Sequence, residues 1–176
     1  MSKATSAWIG FSRSFDLVGN LTAFVTWREG RLCDVPSHTF IGFDLDDGSS
    51  IYYEALMGAG WTGPWDRNDV VRWQARFRGR KVWFTQLRRS PEQVAAMHGK
   101  AEDMRGHVGY SAKQLWQLWA LQRLGRRVPR DDDAIVCSDG VSVVCAAGDL
   151  FLPDLAGRRG HDEMTPHDVQ IASTPR

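Results

Sequence analysis

Two runs rich in β-branched and aromatic residues, 38–43 and 50–56, flank the polar segment 46–49. Runs of this composition form strands, and Gly48 can take the positive φ angle that a tight connection requires. The sequence therefore predicts a β-hairpin with its turn in that segment. This feature constrains the fold most, because the register of a hairpin decides which side chains share one face of a sheet.

His38 and Glu54 lie on the two predicted strands, equally far from Asp46 on either side. An even separation in a hairpin places both side chains on one face, at facing positions with Cβ atoms about 5 Å apart. A glutamate there can accept a hydrogen bond from one ring nitrogen, fix the histidine tautomer and stabilise the imidazolium. The alternative is a surface histidine–glutamate pair with no catalytic role.

The apolar segment 134–147 predicts a buried helix that begins near Cys137 and stops at Gly148. A helix N-terminus presents unpaired N–H groups and a partial positive charge, which lower the pKa of a thiol and can stabilise an oxyanion. A buried core cysteine is the alternative, and it is our interpretation of Cys145 in the same helix. Together, Cys137, His38 and Glu54 are the parts of a cysteine-nucleophile acyl-transfer site.

The chain has three cysteines, and this odd, low number is not typical of a disulfide framework. Segment 1–8 has no apolar signal core, and no window is long enough for a membrane span. We therefore expect free thiols and synthesis in the cytoplasm without a signal peptide. Action at the cell envelope or in a virion would then require delivery by another route, such as an assembly.

The composition favours one domain and does not indicate a nucleic-acid partner. The chain has 176 residues, 43% of them hydrophobic, which suits a single domain over 1–176 with its own core. The net charge is +1, so no strong field indicates nucleic acid. The arginine-rich stretch 76–89 alternates with aromatic residues, and we interpret it as a solvated strand face rather than a nucleic-acid surface.

No cofactor or metal site is expected. The segment 58–60 contains two glycines but lacks the lysine and the helix of a phosphate-binding loop. Near the C-terminus, His161, Asp162, Glu163 and His167 lie close in sequence, but their spacing is not that of a standard zinc site.

The rest of the chain is predicted in outline. Residues 8–11 form an early strand or an anchoring turn, 17–27 a short helix or strand, and 58–69 a loop. A second hairpin is predicted over 70–77 and 81–87, around a turn at 78–80.

Capping boxes mark the starts of two further helices, at Ser90–Gln93 and Ser111–Gln114. These helices are predicted to run from 91 to about 104 and from 111 to Gly125, with a charged loop over 126–133. The tail over 157–176 is polar and is predicted to begin a short helix at Thr165-Pro166-His167-Asp168 and to fray toward its end. The predicted fold class is α+β, an antiparallel sheet packed against a few helices.

Several short motifs resemble one family. They are Ser37-His38-Thr39-Phe40-Ile41-Gly42, Tyr53-Glu54-Ala55, Tyr110 before a helix, Cys137-Ser138-Asp139 and Thr165-Pro166-His167-Asp168-Val169. In this order they resemble the circularly permuted NlpC-type (YiiX-like) branch of the papain-like cysteine peptidase and amidase superfamily. The resemblance covers roughly 35–170.

The resemblance implies a permuted papain-like fold with Cys137 as nucleophile, His38 as general base and Glu54 as the group that orients His38. It implies a hydrolase that cleaves an amide bond, in a bacterial cell-wall peptide or a similar peptide amide. This chain departs from the family at Thr39, usually valine, and at Gly140, usually apolar. The Asn-Cys-Glu-His-Phe signature of the retinoid acyltransferase branch is absent.

Two other functions stay open at this point. One is a non-catalytic papain-like binding or structural module in a larger assembly, such as a bacteriophage particle, docking through the tryptophan-rich segment 60–65. The other is a thiol acyltransferase or deamidase that uses the same three residues.

Overall fold

The computed structural model describes residues 2–27, 31–110, 120, 134–158 and 160–174. Most of the helix predicted from Ser111 to Gly125, and the loop predicted over 126–133, lie outside these residues.

A five-stranded antiparallel sheet with strand order β4-β3-β2-β1-β5 forms the centre of the molecule. Its strands are β1 (Ala4–Arg13), β2 (His38–Leu45), β3 (Ser50–Leu56), β4 (Gly60–Asp66) and β5 (Lys81–Leu87). The predicted hairpin is confirmed as β2 and β3, with Ile41 paired to Tyr53 and Phe43 to Ile51.

Six helices accompany the sheet in the described part of the chain. They are α1 (Leu17–Thr26), α2 (Val70–Phe77), α3 (Pro91–Asp103), α4 (Cys137–Ala147), α5 (Leu152–Ala156) and α6 (Pro166–Ser173). A short parallel pair joins β6 (Gly109–Tyr110) to β7 (Ala134–Ile135), directly before α4. The predicted α+β class is confirmed.

Successive side chains of each strand point to opposite faces of the sheet, and both faces carry apolar side chains. On one face, residues such as Ile9, Ile41 and Tyr53 belong to the main core, where α3 and α4 pack against the sheet. On the other face, a second cluster unites Trp8, Phe40 and Tyr52 of the sheet with Phe77 of α2, and Trp73 packs against it. Since successive strand residues point to opposite faces, α2 and α4 cover opposite sides of the sheet.

The prediction of a second hairpin over 70–77 and 81–87 is wrong, because 70–77 is the helix α2. The carboxylate of Asp69 caps this helix by accepting from Arg72 N at 3.0 Å, and helical spacing brings Trp73 and Phe77 to the aromatic cluster. Burial of these rings outweighs the strand preference of Val70 and its neighbours.

The strand β5 exists as predicted, but it pairs with β1 instead of with 70–77. The loop predicted over 58–69 is also wrong in part, because 60–66 forms the edge strand β4. Pro64 fits there, since an edge strand can lack one ladder donor. Trp61 of β4 is completely buried and its indole N–H donates to Ala101 O at 2.9 Å, so it does not offer the exposed docking surface predicted for 60–65.

Other predicted elements are confirmed. Residues 8–11 lie within β1, and 17–27 corresponds to α1. The capping box of Ser90 and Gln93 opens α3, and α4 begins at Cys137. In the polar C-terminal segment, the predicted helix start is confirmed, because a capping box of Thr165 and Asp168 opens α6 and both residues are buried.

Candidate active site

Cys137 is the first residue of α4, and its side chain lies against the start of β2. The residue before it, Val136, is the N-cap and has no polar side chain that could accept from the first-turn N–H groups. Backbone hydrogen bonds from Thr39 and Ser138 reach the sulfur. Although only 4% of Cys137 is exposed, these contacts place its thiol in a polar environment.

His38, at the first position of β2, lies next to this thiol and is bound to Glu54. Its Nε2 is 2.7 Å from Glu54 Oε2, and the Glu54 side chain is 1% exposed. Since Nε2 is engaged by the carboxylate, Nδ1 is the ring nitrogen left to face Cys137. The register of β2 and β3 places Glu54 diagonally across from His38 on the same face, not directly opposite as predicted, because Ile41 pairs with Tyr53.

Arg76 of α2 binds the other side of Glu54. Its Nε donates to Oε1 at 3.0 Å and its Nη2 donates to Oε2 at 2.8 Å. Such bidentate guanidinium–carboxylate pairs are among the strongest polar contacts in proteins. Both oxygens of the buried Glu54 carboxylate are therefore occupied, and its orientation toward His38 is fixed.

The electrostatics of the site favour an ionised pair of thiolate and imidazolium. Burial opposes the charged form of the Cys137 thiol, but the charge and hydrogen bond of His38 outweigh it and lower the pKa of Cys137. Burial likewise opposes the charge on His38, while Cys137 and then Glu54 raise its pKa to about 9. Both shifts favour the form with a negative sulfur and a positive ring.

Glu54 stays ionised in spite of its burial. Desolvation alone would raise the pKa of this carboxyl, but the hydrogen bonds and charges of His38 and Arg76 lower it to about 2. An ionised Glu54 is the state that can stabilise an imidazolium.

A cavity of about 430 Å³ opens onto the thiol. Its lining includes His38 and Cys137, and also Asp16 of the α1 cap, Met57 after β3 and Arg80 before β5. The Cys137 thiol and the His38 ring therefore face a space large enough for part of a substrate.

The other cysteines lack these features. Burial raises the pKa of Cys145, in the middle of α4, to about 12, which fits the predicted core cysteine. Cys33 is exposed in a short 3-10 turn (Leu32–Asp34).

Among the described residues, no three His, Cys, Asp or Glu side chains are placed to hold a metal ion. His161 Nδ1 lies 2.7 Å from the hydroxyl of Ser142.

Arg76 is the site residue that sequence reasoning missed. The sequence predicts Arg76 on a solvated strand, and a strand at 70–77 does not direct this side chain to Glu54. The available signal was Asp69, an N-cap residue followed by aromatic residues at helical spacing.

Comparison of the chain with protein-family models, with curated proteins and with solved structures gives no match. Within the described residues, none of the helices combines the length and apolar character needed to cross a bilayer.

Proposed function

We propose that this protein is a cysteine hydrolase that cleaves an amide bond through an acyl-enzyme, with Cys137 as nucleophile, His38 as general base and Glu54 as the group that orients His38. The observation that carries the proposal is the contact of a helix-start thiol with a histidine whose far nitrogen is held by a buried carboxylate.

In the acylation step, the Cys137 thiolate attacks the amide carbonyl carbon, a C–S bond forms, and the carbonyl electrons move to oxygen. First-turn N–H groups of α4 stabilise this oxyanion. The His38 imidazolium gives its proton to the leaving nitrogen as the C–N bond breaks. An amine leaves, and a thioester remains on Cys137.

In the deacylation step, neutral His38 takes a proton from water while the water oxygen adds to the thioester carbonyl. The C–S bond then breaks and the product leaves as a carboxylic acid. The thiolate is restored, and the ionised Glu54 stabilises the ring that has regained its proton.

The chain order His38, Glu54, Cys137 and the motifs around these residues support a permuted papain-like fold of the NlpC type. In that fold, the catalytic histidine and acid lie on a hairpin and the cysteine lies at a helix start. The resemblance favours a peptide amide as substrate, in a bacterial cell-wall peptide or a similar molecule.

The test is turnover of a panel of peptide amides and cell-wall peptide fragments by the wild type and by Cys137→Ala. We expect hydrolysis by the wild type and none by the variant, with unchanged circular dichroism. Cys33→Ser, which removes the exposed thiol, is the matched control and is expected to keep full activity. Full activity of Cys137→Ala would refute the proposal. Adding an amine acceptor distinguishes an acyltransferase, which would form a new amide.

One observation favours the alternative of a binding module. Leu17, Leu21 and Phe24 of α1 are exposed large apolar side chains on a helix beside the cavity. Exposed apolar surface of this kind is typical of interaction sites. A protein that is only a module would co-purify with its partner in fixed stoichiometry and would tolerate Cys137→Ala.

A further inference from the structure

Four ionisable groups form a row that runs from the cavity to α2. The Cys137 thiolate, the His38 imidazolium, the Glu54 carboxylate and the Arg76 guanidinium alternate in sign, and each interacts with the next. We propose that Arg76 is a positioning residue that keeps this row electrically neutral and thereby holds Cys137 in its thiolate form. This inference rests on the proposed function, since it takes Cys137 as the nucleophile.

The geometry makes Arg76 the sole described cation on Glu54 besides His38. Glu54 Oε2 accepts hydrogen bonds from His38 Nε2 at 2.7 Å and from Arg76 Nη2 at 2.8 Å. Glu54 Oε1 accepts a third from Arg76 Nε at 3.0 Å. The Arg76 side chain is 28% exposed, so its charge is only partly screened by water. Arg76 therefore acts on the thiol through Glu54 and His38, without touching it.

Removal of the Arg76 charge would leave two negative groups and one positive group in a largely buried site. A net charge in such a place is unfavourable, and the site relieves it by taking up a proton. Of the two anions, the thiolate is intrinsically the more basic by several pKa units, so the proton goes to Cys137. Loss of Arg76 should therefore raise the pKa of the thiol.

Simultaneous removal of Glu54 and Arg76 has a different consequence. The thiolate and the imidazolium then remain as a neutral pair, so no excess charge drives proton uptake. The double variant should therefore keep Cys137 ionised at a lower pH than the Arg76 variant alone. A purely structural role of Arg76 predicts the opposite, because two disrupted contacts would be at least as damaging as one.

Other described charges near the row are Asp16 and Arg80, which line the cavity, and the buried Asp139 in the first turn of α4. Tyr52 interacts with Glu54 and Arg76, and burial, with Glu54, raises its pKa to about 12, so it is neutral across the relevant pH range. Arg72, one turn earlier on α2, forms its ion pair with Asp69 and does not line the cavity, and it is therefore the matched control cation.

The experiment measures the rate of Cys137 alkylation by iodoacetamide against pH, by peptide mass spectrometry, with Cys33 as an internal reference. The variants are Arg76→Met, Arg76→Lys, Arg72→Met and the double variant Glu54→Gln with Arg76→Met. For Arg76→Met we expect the midpoint of the profile to rise by about one pH unit, which slows alkylation about tenfold at any pH below both midpoints. Arg72→Met should match the wild type, and Arg76→Lys should return the midpoint most of the way to that of the wild type.

The decisive comparison is the double variant, whose midpoint should lie nearer to the wild type than that of Arg76→Met. An unchanged profile in Arg76→Met, or a double variant shifted as far or further, would overturn the inference while leaving the proposed function intact. A wild-type Cys137 that titrates like Cys33 would overturn both. If Arg76→Met does not fold, Arg76→Gln provides the same test, because its amide can bind Glu54 without charge.

Discussion

Ser138 donates its hydroxyl hydrogen bond to the main-chain oxygen of Met164 at 2.7 Å, and both residues are completely buried. This bond joins the first turn of α4 to the segment that leads into α6. Since Ser138 follows Cys137 directly, the same bond fixes the part of the helix that presents the thiol.

Replacement of Ser138 by alanine should therefore weaken both the fold and the site. The Met164 carbonyl would lose its partner in a buried place, and we expect the free energy of unfolding to fall by about 1–3 kcal/mol. Urea unfolding measures this change. Ser173→Ala is the control, because that hydroxyl bonds within the last turn of α6 and is expected to change stability little. Equal stability of Ser138→Ala and the wild type would contradict the prediction.

Gly140 should not tolerate a side chain, although it lies within a helix. An added Cβ would lie 2.5 Å from the Trp61 ring and 2.7 Å from Ile135, both of which are packed in the core. We expect Gly140→Ala to reduce the free energy of unfolding by about 1–3 kcal/mol through overpacking.

The control is Gly99→Ala in α3, where a Cβ meets nothing within 4 Å. There the better helix propensity of alanine should raise stability by about 0.5–1 kcal/mol. The thermal unfolding temperatures of the two variants should therefore shift in opposite directions. A rise in both temperatures would mean that the close approach of Trp61 does not prevent a side chain at position 140.

Glu54 should make stability sensitive to acid. Its pKa is about 2 in the folded chain, against 4.5 for an unperturbed carboxyl, so its contribution is fully present above about pH 4.5 and is lost as the pH falls through 2. Because Glu54 is almost completely buried, the contribution is on the order of 3 kcal/mol.

Urea unfolding between pH 2 and pH 7 tests this. The wild type should lose this stability on acidification, whereas Glu54→Gln, which has no proton to gain there, should show a flatter profile. Asp154→Asn is a suitable control, since Asp154 is an exposed carboxylate on α5. Parallel profiles for the wild type and Glu54→Gln would argue against an ionised Glu54 at neutral pH.

The parts of the site that the sequence predicted are those set by local periodicity. His38 and Glu54 are separated by an even number of residues, so their side chains point to the same face of the hairpin. This holds whether the two residues lie directly opposite or diagonally across from each other. Cys137 was located by the apolar pattern of its own helix. The α+β class also followed from local patterns, through the β2–β3 hairpin and the capping box of α3.

The parts that were missed depend on tertiary contacts. Val70 and Val71 favour a strand, and only the packing of Trp73 and Phe77 on the far face of the sheet makes this segment helical. Because this helix is not predicted from the sequence, Arg76 is not predicted as the partner of Glu54. Similarly, β4 gains its ladder from β3 despite Gly63 and Pro64, a pairing that composition does not indicate.

The placement of α4 and α2 on opposite faces of the sheet makes the reactivity of the thiol a property of the whole fold. The thiol is carried by α4 on one side of the sheet, and the guanidinium that binds Glu54 is carried by α2 on the other side. A site of this kind is complete only when both helices are packed against the sheet.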